Sequence, residues 1–304
     1  MGRPVLMLLV ANVLGGLTYP LQKMALLVLP PATVTALRSL LGIALMAAWL
    51  AARREPLWPF PRRETGRLAL LGVLGTALPM LLGAEGVHLS TATNASLLIL
   101  LEPMSIVLCA RLLLGERMGP RRTLGLLLGL AGAVAVVTEG LTAGPTLLRE
   151  EHLLGNALLA LSGLLWGLYT PLMKPLAGHR DPVALAFGAV VFAFALFVPA
   201  ALREAPEWKG GPGLAGALLA TAALGVLGTF LGTVLWTAAL RHVSANAVAP
   251  LILVQPVVSA AAGAVFLGER LTLQAAAGGA VVAAGVLVSL GGGERPGGGA
   301  ASGA

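Results

Sequence analysis

A chain of 304 residues that is 57% apolar and 11% charged, with a mean hydropathy of +0.90, lies far from the roughly 25% charged content of soluble domains and is not one. Its formal charge of +7 comes from basic residues scattered at the ends of apolar runs, without interleaved aromatics, which excludes a nucleic-acid partner. A single cysteine, Cys109, excludes a disulfide framework and a Cys-rich metal site, and no motif asks for a cofactor.

Cutting the chain at charge clusters and at Pro/Gly punctuation predicts ten apolar spans, each about long enough to cross roughly 30 Å of hydrocarbon. The first, 4–22, runs past the length of a secretory h-region and is read as a membrane helix, not a signal peptide. Its Asn12, Gly16, Tyr19 and Lys23 share one helical face that could line a cavity. The second, 33–52, holds Arg38, the only arginine well inside a span, which either snorkels to the outer interface or holds an anion. The third, 67–84, contains the hexapeptide LGVLGT at 71–76.

The fourth span, 94–114, opens at Asn94, a candidate N-cap at a helix start that would also attract a carboxylate. It carries Glu102 near mid-membrane, open to two readings: a proton-coupling or substrate-amine site, or a hydrogen-bonding group between packed helices. Pro103 beside it removes an amide donor and frees the carbonyl of Ile99, a static or gating kink. Gly115-Glu116-Arg117 closes the span, the glycine suited to a left-handed cap and the charged pair able to bridge the turn. In the fifth, 122–139, Gly125 and Gly129 make a small-residue face for close packing or dimerisation.

The sixth span, 153–173, lines up Ser162, Trp166, Tyr169 and Met173, an aromatic stripe able to stack on apolar or cationic substrate parts or simply to pack. After 183–202, the eighth span, 213–236, repeats LGVLGT at 224–229 and aligns Thr229, Thr233, Trp236 and Thr237. The ninth, 246–267, opens at Asn246, a second candidate N-cap, and carries Gln255-Pro256; the tenth is 273–290. The Gly-rich tail from 291 to 304 cannot bury a core and is expected to be disordered.

The motifs recur at fixed spacing. LGVLGT, Glu102-Pro103 against Gln255-Pro256, and Gly115-Glu116-Arg117 against Gly268-Glu269-Arg270 are offset by 153 residues. Gly16, Pro20 and Lys23 match Gly167, Pro171 and Lys174 at an offset of 151. Two copies of one unit, each with five spans, must lie upside down relative to one another. The expected division is a first repeat over 1–140, an external linker over 141–152, a second repeat over 153–290 and a cytoplasmic tail over 291–304. Placing both termini in the cytoplasm puts fourteen basic residues inside and five outside, as the positive-inside rule requires.

On these motifs the sequence resembles the drug/metabolite transporter superfamily, and within it the ten-helix EamA-type members. The family pattern has an acid before proline in both the fourth and ninth spans; Gln255 departs from it in the second. The resemblance implies an all-α integral membrane protein with ten transmembrane helices, as two inverted five-helix repeats around a central cavity. It also implies a secondary transporter of the inner membrane that moves small metabolites, most often exporting amino acids.

The cavity candidates are Asn12, Tyr19, Asn94, Glu102, Trp166, Tyr169, Trp236 and Gln255, with Glu102 the position for proton coupling and Pro103 and Pro256 the kinks. Beyond a small-molecule substrate and the bilayer, protons are the candidate coupling ion, and the protein is expected as a monomer or homodimer. A passive channel or a structural membrane protein is the competing class, although the charge rings of selective channels are missing. An enzyme has little support: the four histidines fall in loops or at span ends, and no HExxH, GxSxG or P-loop pattern is present.

Overall fold

A computed structural model describes residues 2–90, 98–138, 150–205, 213–267 and 273–291. Asn94, Glu269, most of the expected linker and all of the tail beyond Gly291 lie outside the described residues. Those described are all-α, with no β-strand among them. Helix α1 is Arg3–Leu26 and α2 is Pro31–Ala52; α3 comprises Arg62–Gly72, Val73–Ala77 and Leu78–His88 without interruption. Then follow α4, Leu101–Leu114, α5, Pro120–Val137, α6, Leu153–Ala177, and α7, Pro182–Glu204. Helix α8 joins Leu214–Ala223, Leu224–Gly232 and Thr233–Ala239, α9 joins Ala245–Ile252 and Val254–Leu267, and α10 is Leu273–Leu290.

Nine of these are long and apolar enough to cross a membrane by length and composition, counting only described residues. The tenth expected span, 94–114, is described only from residue 98. Several helices run a turn beyond their predicted ends: α1 reaches Leu26, α3 starts at Arg62 and α6 continues to Ala177. Prolines at the first turn start α1, α2, α5 and α7, where the missing amide would be unpaired anyway.

Charged side chains from distant parts of the chain close several helix starts. The Glu204 carboxylate, at the end of α7, accepts from the amides of Ala32 and Thr33 at 3.1 and 2.8 Å and so caps α2. Glu116 does the same for α9, accepting from Ala245 and Asn246, both at 3.1 Å. Gly115 adopts the expected left-handed conformation at φ 68°. Glu116 does not bridge the turn to Arg117 as expected, because the free amides of a helix start are the stronger attraction for its carboxylate. Asn246 is likewise not an N-cap: Ser244 holds that position, and the Asn246 side chain points inward, buried and without a hydrogen-bond partner. At other helix ends, Lys174 Nζ donates to the carbonyls of Leu240 and Val243 beyond α8, and Arg180 forms a forked pair with Glu64 at 2.8 and 3.2 Å.

Helix packing is set by glycines, and the close approaches come in matched pairs. Gly16 of α1 lies on α9, where a Cβ would stand 2.6 Å from Val258 Cβ; Gly167 of α6 lies on Ser105 of α4. Gly72 of α3 faces the Ala189 carbonyl of α7, and Gly225 of α8 faces the Arg38 carbonyl of α2. Gly125 of α5 meets the Gly285 carbonyl of α10, while Gly132 meets that of Gly278. The glycine face of α5 is therefore used inside the monomer. In each pair the second contact is the first shifted by the repeat offset, with the two partners exchanged between the halves of the chain.

Candidate functional site

The repeated LGVLGT hexapeptides are where α3 and α8 depart from α-helical winding. Val73–Ala77 and Leu224–Gly232 are π-helical, and such widened turns are rare and concentrate at functional sites. Their glycines admit close neighbours: Gly75 lies on the backbone of Tyr169, and its counterpart Gly228 lies against Thr18 and the guanidinium of Arg38.

Two helix breaks face one another. Turns at Ile99–Leu100 and at Leu253 precede the segments that carry Glu102-Pro103 and Gln255-Pro256. The Ile99 carbonyl is not left free by Pro103, as the sequence suggested; it accepts the Glu102 amide at 2.9 Å in a tightened turn. Between the breaks lies a small cleft. It is lined by Ile99, Leu100, Glu102 and Pro103, by their counterparts Ile252, Leu253, Gln255 and Pro256, and by Tyr19 from α1. The wall is apolar apart from three side chains, and Tyr19 is 47% exposed, leaving its ring surface available.

The two repeated polar residues are held differently. Gln255 Nε2 donates to Asn12 Oδ1 at 2.8 Å, and Asn12 Nδ2 donates onward to the Leu8 carbonyl at 2.8 Å. Asn12 is fully buried, so this chain locks the Gln255 amide against α1, where Gly15 leaves room for it. The residue matching Asn12 in the second half is Gly163, which has no side chain to offer. The Glu102 carboxyl accordingly has no hydrogen bond or ion pair among the described residues, and it faces the cleft. Gln255 is thus hydrogen-bonded between packed helices, and Glu102 is not so bonded among the described residues.

The other candidates lie elsewhere. Trp166, Tyr169 and Trp236 do not line the cleft. The Tyr169 hydroxyl is buried without a hydrogen-bond partner among the described residues, whereas Trp236 Nε1 donates to Thr170 Oγ1 at 3.2 Å and so joins α8 to α6. Trp166 is half-buried on α6. Arg38 does not snorkel outward: its Nε donates to Thr229 Oγ1 at 3.1 Å, within the π-helical stretch of α8. Sequence reasoning missed the Asn12–Gln255 bond, the π-helical character of the repeated hexapeptides and the two glutamate caps. No group of three or more potential metal ligands occurs among the described residues.

The sequence profile of the EamA-like transporter family matches this chain twice, over residues 2–138 and 153–291. An uncharacterized protein of Pseudomonas aeruginosa is 37% identical over 239 residues, 78% of this chain and 76% of that one. An uncharacterized transporter of Archaeoglobus fulgidus is 26% identical across 90% of this chain and 93% of its own length. A probable terminal-alkyne amino-acid exporter of Streptantibioticus cattleyicolor is 30% identical over 81% of this chain and 78% of its own. A solved crystal structure superposes with a TM-score of 0.82 over 95% of this chain and 98% of that chain at 23% identity, a likeness of fold.

Proposed function

This chain belongs to the EamA-like transporter family, a multi-pass secondary transporter of small molecules, and from that premise we propose that it exports amino acids or related compounds by alternating access. One observation carries the reading: a single cleft lined by the same tetrad of positions from both halves, Ile99, Leu100, Glu102 and Pro103 against Ile252, Leu253, Gln255 and Pro256. A site placed where two related halves meet can be exposed to either side as those halves rock.

The exchanged glycine contacts support an arrangement of two inverted five-helix repeats, 1–140 and 153–290, joined by an external linker and followed by a cytoplasmic tail. With both termini cytoplasmic the basic residues gather on the inner face. Glu102 takes the substrate amine or a coupling proton, because its carboxyl projects into the cleft without a partner among the described residues. Tyr19 and the apolar wall take the substrate's side chain, and Gln255, clamped by Asn12, forms the fixed side of the site. Trp236, bonded to Thr170, belongs to the α6–α8 packing that supports it.

Reconstitution into liposomes loaded with unlabelled amino acids tests the proposal. Saturable counterflow of a labelled amino acid is expected. Non-saturable flux would mean a channel, and no flux across an amino-acid panel would reject the assignment of cargo.

A further inference from the structure

Among the described residues, Arg38 is the arginine placed well inside a helical span. It sits about two turns into α2, roughly 10 Å from the helix start at about 1.5 Å per residue. Its Nε bonds Thr229, and Thr229 packs against Gly42, one turn deeper along α2 and near that helix's midpoint. The half-buried guanidinium therefore points toward the membrane centre, where a charge costs roughly 2.5 to 3.5 kcal/mol on insertion scales. No carboxylate pairs with it among the described residues. Thr229 occupies one N–H, leaving the two terminal nitrogens and their four N–H donors for something else.

Small and apolar groups border one side of that end of the guanidinium. Gly228 lies beside Nη2 so closely that a Cβ there would stand 2.7 Å away, and the Thr18 methyl closes the same side. Thr18 directs its own hydroxyl to the Gly15 carbonyl at 2.6 Å and does not compete for the arginine. Thr18 also precedes Tyr19 of the cleft, so α1 carries both environments on adjoining residues. The first half supplies Arg38 alone; the second has Ala189 at the matching position, so this feature has one copy, as Glu102 does.

We propose that Arg38 is an anion subsite that takes the carboxylate of the transported compound through its terminal nitrogens. A planar fork of donors matches a carboxylate in two parallel bonds, which an ammonium cannot do. The proposal rests on the transport reading for the source of the anion. It deepens that reading by naming a carboxylate on the transported compound.

The test uses three probes with one apolar skeleton: leucine, its decarboxylated form isoamylamine and its deaminated form 4-methylpentanoate. Thermal stabilisation of the detergent-solubilised full chain is titrated with each. Leucine and 4-methylpentanoate are expected to stabilise the wild type, and to bind about tenfold or more weakly to Arg38→Gln, while isoamylamine acts equally on both. Gly228→Ala, whose new methyl crowds Nη2, should show the same selective loss and serves if Arg38→Gln fails to fold.

Absence of any carboxylate response in the wild type, equal carboxylate binding by the variants, or equal loss of all three probes would overturn the subsite. Counterflow on the same preparations separates the two readings. Carboxylate binding through Arg38 without flux removes transport and leaves the subsite, whereas flux of isoamylamine without carboxylate binding does the reverse.

Discussion

At the scale of single residues, the asymmetry between Glu102 and Gln255 is the most consequential detail. Gln255 is tied to Asn12, so Asn12→Ala should cost about 0.5 to 1.5 kcal/mol by removing that hydrogen bond, read as a lower unfolding temperature in detergent. Glu102→Gln removes no hydrogen bond and should leave the unfolding temperature nearly unchanged. If Glu102 couples flux to protons, the same variant should flatten the pH dependence of counterflow; a wild-type profile would end that role. Much of this site was legible beforehand. Glu102, Gln255, their prolines and Tyr19 stand out because polar groups in apolar runs are rare and because the motif recurs. Which of the two would be clamped was not legible. It depends on Asn12 meeting Gln255 across 243 residues and on Gly163 offering nothing to Glu102. The aromatic stripe on α6 shows a related shortfall, since helical spacing says which residues share a face and not what that face meets.

Individual helices show what periodicity can and cannot deliver. The spans themselves were plain from hydropathy, but the starts of α2 and α9 are closed by carboxylates from distant parts of the chain. Only folding brings Glu116 to α9 or Glu204 to α2. Glu116→Ala should therefore destabilise the protein by about 0.5 to 2 kcal/mol, as loss of a helix cap does, and Glu116→Gln by less; parallel melting curves would measure both. The hexapeptide LGVLGT was visible as a repeat, while its π-helical winding was not, because the same composition fits an ordinary apolar helix. Deleting one residue within Leu224–Gly232 should restore α-helical winding and rotate Thr229 away from Arg38. Counterflow should fall at least tenfold while the variant still purifies as a monodisperse species; unchanged flux would make the widened turn incidental.

Across the whole molecule, the proposed topology has a direct consequence for labelling. Cysteines introduced near Arg3 and near Gly291, in a background where Cys109 is replaced by Ala, should react with impermeant maleimide only from the cytoplasmic side. Opposite accessibility of the two would contradict an even number of crossings.

The seam between α5 and α10 also bears on biosynthesis. Gly125 and Gly132 pack on Gly285 and Gly278 of α10, a helix made well after α5. Until then α5 waits in lipid with a bare backbone stripe. A chain stopped after residue 267 would never cover it, and two such fragments should join through that stripe, detectable as a crosslink between cysteines placed along it that the covered stripe of the full-length protein does not give.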